Sequence, residues 1–162
     1  MSEAPRTAAG ERAARGQRRS AARLAAVQAL YEMDMVGALA DDVLAEFLQR
    51  RWQLNAEAAG MAEPDADWLA DLVRGVSKSA EALDDLIRPA LAKDLALERM
   101  ETLLRVVLRA GAYELSAKPD VPTPVIIDEY VDVAHAFFEG KEAALVNGIL
   151  DKLARGLRPD ER

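Results

Sequence analysis

The chain has 162 residues, of which 51% are hydrophobic, 30% are charged and only 5% are aromatic. This balance is typical of one soluble, aliphatic domain, and no apolar run approaches the roughly 18 residues that a membrane span needs. The chain has no cysteine, which excludes disulfides and thiol chemistry, and its single histidine, His135, excludes a multi-histidine metal site. We expect neither a metal nor a cofactor, and a cytoplasmic location.

The net charge of -7 is unevenly distributed along the chain. Residues 1–23 carry six arginines and two glutamates, a balance of +4, whereas the other 139 residues have a balance of -11. Because local charge rather than the total decides what a surface binds, this asymmetry favours phosphate contacts near the N-terminus. The alternative interpretation is a solvated terminus, and residues 1–15 are predicted to be a flexible basic arm.

The first predicted helix covers residues 16–36, which contain no proline and many strong helix formers. Arginines step along it roughly opposite an apolar stripe, so it is expected to dock on a core while presenting guanidinium groups to solvent. The predicted stripe consists of Leu24, Val27, Tyr31 and Met35. The predicted solvent-facing row consists of Arg15, Arg18, Arg19 and Arg23.

Shorter helices follow in the middle of the chain. One is predicted over residues 39–54, and the next stretch, 55–65, is the expected loop. Asp65 or Asp67 is expected to cap a third helix that buries Trp68.

Proline and glycine divide the second half of the chain. A helix expected to start with a Ser79 cap is bent or ended by Pro89, and a long helix from about Glu98 stops at Pro119. Thr123 followed by Pro124 predicts the next start, a cap with proline at the first helical position.

The last predicted helix lies between a break at Gly140 and Pro159. No segment alternates with the two-residue period of a strand, so about seven helices predict an all-α bundle in a single domain over residues 1–162.

Catalytic constellations are absent from the pattern. Acidic residues are adjacent at Asp84–Asp85 and at Asp128–Glu129. The two side chains of such a pair point about a hundred degrees apart on a helix, so they cannot both act on one bond of a substrate. The chain also lacks a glycine-rich phosphate loop and a nucleophile elbow. We therefore do not expect an enzyme.

Arginine, by contrast, is suited to binding phosphate because its planar guanidinium group donates two hydrogen bonds, and the arginines near the N-terminus therefore favour an anionic partner.

Four sequence blocks, in order and spanning residues 18–153, are similar to the NusB family of bacterial transcription antitermination factors. They are RRSAARLAAVQALYEMD, LRVVLRAGAYEL, DVPTPVIIDEYVDVAHAFF and ALVNGILDKL. The resemblance implies two small helical sub-bundles with the arginine-rich helix in the first. It also implies binding to the boxA element of ribosomal-RNA leader transcripts together with the ribosomal protein NusE, on elongating RNA polymerase.

The family's arginine-rich motif falls on Arg18, Arg19 and Arg23. Many members have basic residues where this chain has Ser20 and Ala21, and arginines of the preceding turn are the expected compensation. The candidate RNA-binding residues are Arg12, Arg15, Arg18, Arg19 and Arg23.

Further positions match the family's RNA and partner surface. Asp120 lies in the matching turn, although Pro124 replaces the lysine that often follows it. Arg109 and Tyr113 match the second block, where structural support is the favoured role. Candidate contacts on this second surface are Asp120, Arg109 and Tyr31, although the helical spacing of Tyr31 also fits a core residue.

Two other interpretations remain at this point. The first is a protein-only adaptor whose acidic face binds a basic partner. The second is a helical domain of an RNA-modifying enzyme, which is disfavoured because no cofactor-binding domain follows. The family includes monomers and self-associated forms, so a homodimer is a further expectation.

Overall fold

In a computed structural model, the structure describes residues 7–47 and 62–161. Within these ranges the regular structure is helical throughout, which confirms the predicted all-α fold, and no helix there is long and apolar enough to cross a membrane. The α-helices are α1 (Ala8–Val36), α2 (Ala40–Glu46), α3 (Ala66–Lys78), α4 (Ala80–Ile87), α5 (Thr102–Ala117), α6 (Thr123–Phe137) and α7 (Glu142–Leu157).

The environment of α1 changes along its 29 residues. Its first three turns, up to Arg18, are mostly exposed to solvent, whereas eight of the ten residues from Ala21 to Leu30 are buried. Five of those eight are alanines, and side chains this small let neighbouring helices approach from several sides. α1 therefore projects from the bundle at its N-terminal end and runs through the core beyond it.

This environment corrects the predicted buried stripe of α1. Leu24 is half-buried and Val27 is buried, but Tyr31 and Met35 are 36% and 58% exposed. The prediction was wrong for those two residues because the alanines carry the helix contacts.

The start of α1 lies inside the segment that the sequence predicted as a flexible arm. The helix begins at Ala8, where the Thr7 hydroxyl oxygen accepts a hydrogen bond from the Gly10 N–H at 3.0 Å. Residues 8–15 are thus helical, and the mobility of this segment stays a prediction. Residues 1–6 lie outside the described residues.

Several predicted boundaries are confirmed and others move. Asp65 caps α3, its carboxylate accepting from the Trp68 N–H at 3.0 Å. Ser79 separates α3 from α4 but makes no capping hydrogen bond with its side chain. The predicted second helix, 39–54, is helical over Ala40–Glu46, and 48–61 lie outside the described residues.

The long fifth helix starts later than its sequence suggests. A short 3-10 turn, Leu97–Arg99, takes the place of the predicted first turn, and extended backbone at Met100 separates it from α5. Burial of Leu97 and Met100 in the core holds this break.

The helices form two groups on one continuous core. α1 packs against α2 and α3, while α6 and α7 pack together, and α5 contacts α1, α3, α4, α6 and α7. Gly75 allows α3 and α5 to approach closely, since a Cβ atom there would lie 2.2 Å from the Tyr113 ring.

Candidate nucleic-acid interface

Four arginines line the projecting end of α1. Arg12, Arg15 and Arg18 are exposed and Arg19 is half-buried, and within the described structure none of the four pairs with a carboxylate. From Arg12 to Arg19 they span about 10 Å of helix axis. Most other described arginines are in ion pairs, so this row is a concentration of uncompensated positive charge on an acidic protein.

Arg23 does not belong to this exposed row, which corrects the prediction from helical spacing. Its side chain is 2% exposed, and its Nε and Nη2 atoms donate to the two carboxylate oxygens of Glu114 at 2.8 and 2.9 Å. Arg23 shares a helix face with Arg19, but by that turn α1 has entered the bundle. We therefore remove it from the candidate RNA contacts.

A buried network surrounds Arg23. The Tyr130 hydroxyl donates to the Glu114 carboxylate, so the network joins α1, α5 and α6. Burial opposes the charge on Arg23, but the hydrogen bonds and charge of Glu114 outweigh it and raise the pKa of the guanidinium. Burial, followed by the Glu114 charge, raises the pKa of Tyr130 well above its ordinary value. Arg23 and Glu114 are thus a buried ion pair, and Tyr130 stays protonated as a donor.

Ser20 and Ala21, the departures from the family's basic pattern, both face the bundle. The Ser20 hydroxyl donates to Glu129 at 2.6 Å, and Ala21 is 1% exposed. Neither position lies on the exposed side of α1, so the exposed charge of this helix depends on residues 12–19.

Trp68 lies beside the arginine row at the first turn of α3. The Arg19 guanidinium carbon lies 4.1 Å from the centroid of the Trp68 ring, the Lys118 Nζ 4.9 Å and the Arg23 guanidinium carbon 5.6 Å. A backbone hydrogen bond from Asp65 to the Arg18 carbonyl oxygen, 3.0 Å long, fixes the start of α3 against α1. Three cations from two parts of the chain, α1 and the turn after α5, therefore lie around one indole.

The turn after α5 supplies Lys118 to this cluster. Its ammonium group is paired with Asp71, which also accepts a 3.1 Å hydrogen bond from the Tyr113 hydroxyl. Asp120 is exposed in the same turn. The structure thus brings the predicted Asp120 turn to the same end of the bundle as the arginine row, through Lys118 and Trp68.

Arg158, at the end of α7, fixes this turn. Its guanidinium donates to four backbone carbonyl oxygens at 2.6 to 3.3 Å, those of Glu114, Leu115, Lys118 and Val121. Three of these carbonyls belong to the last turn or cap of α5, where backbone donors become scarce. The helix α6 begins at Thr123, with Pro122 as its N-cap residue, so the prediction that the Thr123 side chain caps it was wrong. The Glu161 carboxylate instead accepts from the Thr123 N–H at 2.7 Å.

Replacing Arg158 by alanine is expected to lower the free energy of unfolding by about 2–4 kcal/mol, because buried carbonyls lose a charged donor. Urea unfolding measures the change. Arg155→Ala, one turn earlier, is the matched control: Arg155 forms a surface ion pair with Asp151, and its loss is expected to cost under about 0.5 kcal/mol. Equal stability of the two variants would contradict the anchoring role.

Two other predicted surface residues lie elsewhere. Arg109 is 16% exposed and makes two hydrogen bonds to Asp84, at 2.7 and 2.8 Å, which supports a structural role. Tyr31 lies about 18 Å along α1 from Arg19. Neither residue joins the cluster around Trp68, and their contact with RNA or a partner stays a prediction.

Helical spacing missed the residues that complete the interface. The helical pattern places Trp68 in the core and gives no signal for Lys118 or Arg158. Glu114 carries a signal, because it lies seven residues after the buried Val107 and so on the same face of α5, where an acidic side chain needs a partner. In the part of the chain that the structure describes, no group of three or more histidines and acidic residues is placed to hold a metal ion.

These features define a class of protein: an all-α bundle that displays an arginine-rich helix end on an acidic body. The chain belongs to the NusB family, whose model matches residues 20–155. Four of the five predicted arginines, Arg12 to Arg19, precede the matched segment.

Named relatives and solved structures agree with this family. The chain is 48% identical over 149 residues to "Transcription antitermination protein NusB" of Bradyrhizobium sp. strain BTAi1, covering 91% of this chain and 87% of the relative. The protein of the same name from Caulobacter vibrioides is 48% identical over 142 residues, covering 88% and 95%. Thermotoga maritima NusB matches with a TM-score of 0.71 at 29% identity, over 85% of this chain and 90% of that one.

A second solved structure shares the fold. It is a chain from a crystal structure of the antitermination factors NusB and NusE in complex with double-stranded RNA, with a TM-score of 0.64 at 23% identity. The match covers 85% of this chain and 96% of that one.

Proposed function

We propose that this protein is a non-enzymatic, RNA-binding transcription antitermination factor of the cytoplasm. It binds the boxA element of ribosomal-RNA leader transcripts together with NusE and acts on elongating RNA polymerase. The observation that carries the RNA contact is the row of four arginines without carboxylate partners on the projecting end of α1, beside Trp68 and Lys118. Relatives named transcription antitermination proteins, and a NusB fold solved with NusE and RNA, support the proposal.

The physical basis is neutralisation of backbone phosphates. Guanidinium groups without an internal carboxylate lose no ion pair when they bind an external anion, and Arg donates to phosphate in a bidentate manner. The acidic remainder of the chain confines this contact to one end of the bundle. Binding of RNA by this protein alone is therefore weak, and a basic ribosomal partner strengthens it by adding its own phosphate contacts.

Retention of a boxA oligonucleotide and of a scrambled oligonucleotide, each with and without NusE, tests the function. We expect preferential retention of boxA that increases when NusE is added. Equal retention of the two oligonucleotides with NusE present would contradict the boxA assignment.

The same experiment separates the proposal from a protein-only adaptor. Binding of NusE without retention of either RNA would support the adaptor, whose acidic face binds a basic partner. Self-association stays a prediction that the mass of the protein in solution tests.

A further inference from the structure

The contact between Trp68 and Arg19 leaves one buried N–H group of each side chain without a hydrogen-bond partner among the described residues. The indole Nε1 of Trp68 is buried, and among the described residues it has no hydrogen-bond partner. The Nε of Arg19, stacked at 4.1 Å on the same ring, is likewise buried without a partner. Buried donors without acceptors cost free energy, so the stacking of the guanidinium on the ring, and not hydrogen bonding, joins these two side chains.

The indole of Trp68 is in contact with cations from two parts of the chain. Arg19 comes from α1, 49 positions before Trp68, and Lys118 comes from the turn after α5, 50 positions after Trp68. A ring quadrupole attracts cations over its face, which offsets the repulsion between them. The Asp65 cap and its hydrogen bond to Arg18 fix the ring relative to α1.

Stacking on the ring also limits the motion of Arg19. An arginine side chain on an exposed helix has many rotamers, and ordering them on binding costs free energy. With the guanidinium already fixed over Trp68, a phosphate contact loses less entropy, which is the effect of preorganisation. The stacking position on the ring is then taken by Arg19, not by a nucleotide base.

We propose that Trp68 is a positioning residue for RNA binding, which holds Arg19 and Lys118 in place for backbone phosphates and does not stack on a base. This inference rests on the proposed function. Trp68 then contributes to RNA affinity through Arg19 and Lys118, and this contribution disappears when the two cations are removed.

A mutant cycle with a labelled boxA oligonucleotide and NusE tests this role. Trp68→Phe keeps a smaller aromatic ring and Trp68→Met replaces the ring by a flexible apolar chain. Each change is made in the native chain and in the Arg19→Ala/Lys118→Ala background. We expect Trp68→Met to weaken RNA binding on the order of three- to tenfold and Trp68→Phe to retain most of it, because the cation–π attraction needs a ring. In the background without the cations, neither change should weaken binding further.

The dependence of affinity on salt separates positioning from a purely structural effect. Trp68→Met is expected to reduce the salt slope, since phosphate contacts are lost, while circular dichroism and the urea midpoint report the fold. If Trp68→Met weakens binding in the background without the cations as much as it does in the native chain, or if the salt slope is unchanged, the positioning role of Trp68 is overturned and base stacking is indicated. Unchanged binding by Arg19→Ala/Lys118→Ala itself overturns the proposed RNA face as well.

Discussion

Replacing Arg23 by alanine is expected to lower the free energy of unfolding by about 3–5 kcal/mol, the cost of leaving a buried charge without its partner. Glu114 is fully buried, and without Arg23 its carboxylate would keep only the hydrogen bond from the Tyr130 hydroxyl among those of the buried network. Urea unfolding of the variant and the native protein measures the change. The same loss of stability, not a weakened phosphate contact, explains any loss of RNA binding by this variant.

Arg18→Ala is the matched control for this prediction, since Arg18 is on the same helix but exposed. It is expected to change stability by no more than about 0.5 kcal/mol. A triple replacement of the network by apolar residues, Arg23→Met/Glu114→Met/Tyr130→Phe, should recover much of the loss because no unpaired polar group remains. If Arg23→Ala keeps its stability and loses RNA affinity, Arg23 belongs to the RNA face after all.

Removing the exposed arginines is expected to have the largest effect on RNA binding. In the variant Arg12→Ala/Arg15→Ala/Arg18→Ala, the slope of log affinity against log salt should fall in magnitude by about 2, since each contact with single-stranded RNA contributes about 0.7. Titration of boxA RNA with NusE at several salt concentrations measures the slope. Stability should change little because these side chains make no ion pairs within the described structure.

A variant with the same loss of charge elsewhere provides the control. Lys93, Arg99 and Lys152 are exposed and lie away from the projecting end of α1. Their replacement by alanine changes the net charge by the same amount and should leave the slope nearly unchanged. Equal slopes for the two triple variants would mean that total charge, not the arginine row, governs RNA binding.

Local sequence signals were sufficient for the fold because helix ends are local events. Asp65 caps α3 through a side chain three residues from the donor that it satisfies, and Pro124 marks the start of α6. Where the capping group is distant, the prediction was wrong. The Thr123 N–H is satisfied by Glu161, and no pattern near Thr123 indicates that partner.

The candidate site was predictable only in its outline. Charge and spacing indicated a cationic α1, but a helical wheel assumes one buried face. α1 is enclosed on several sides after Ser20, so Arg23 is buried although it shares a face with Arg19. Trp68 and Lys118 join Arg19 through tertiary packing across long stretches of sequence, which periodicity does not report.

The contacts of Arg158 and Glu161 have a consequence for how the protein is synthesised. The turn that carries Lys118 and the first N–H of α6 are held by side chains that are translated about forty residues later. A nascent chain therefore lacks the side chains that fix this turn until position 161 has emerged from the ribosome. Assembly of the cationic end is thus a late event, and a chain interrupted before that position would expose an incomplete bundle to chaperones and proteases.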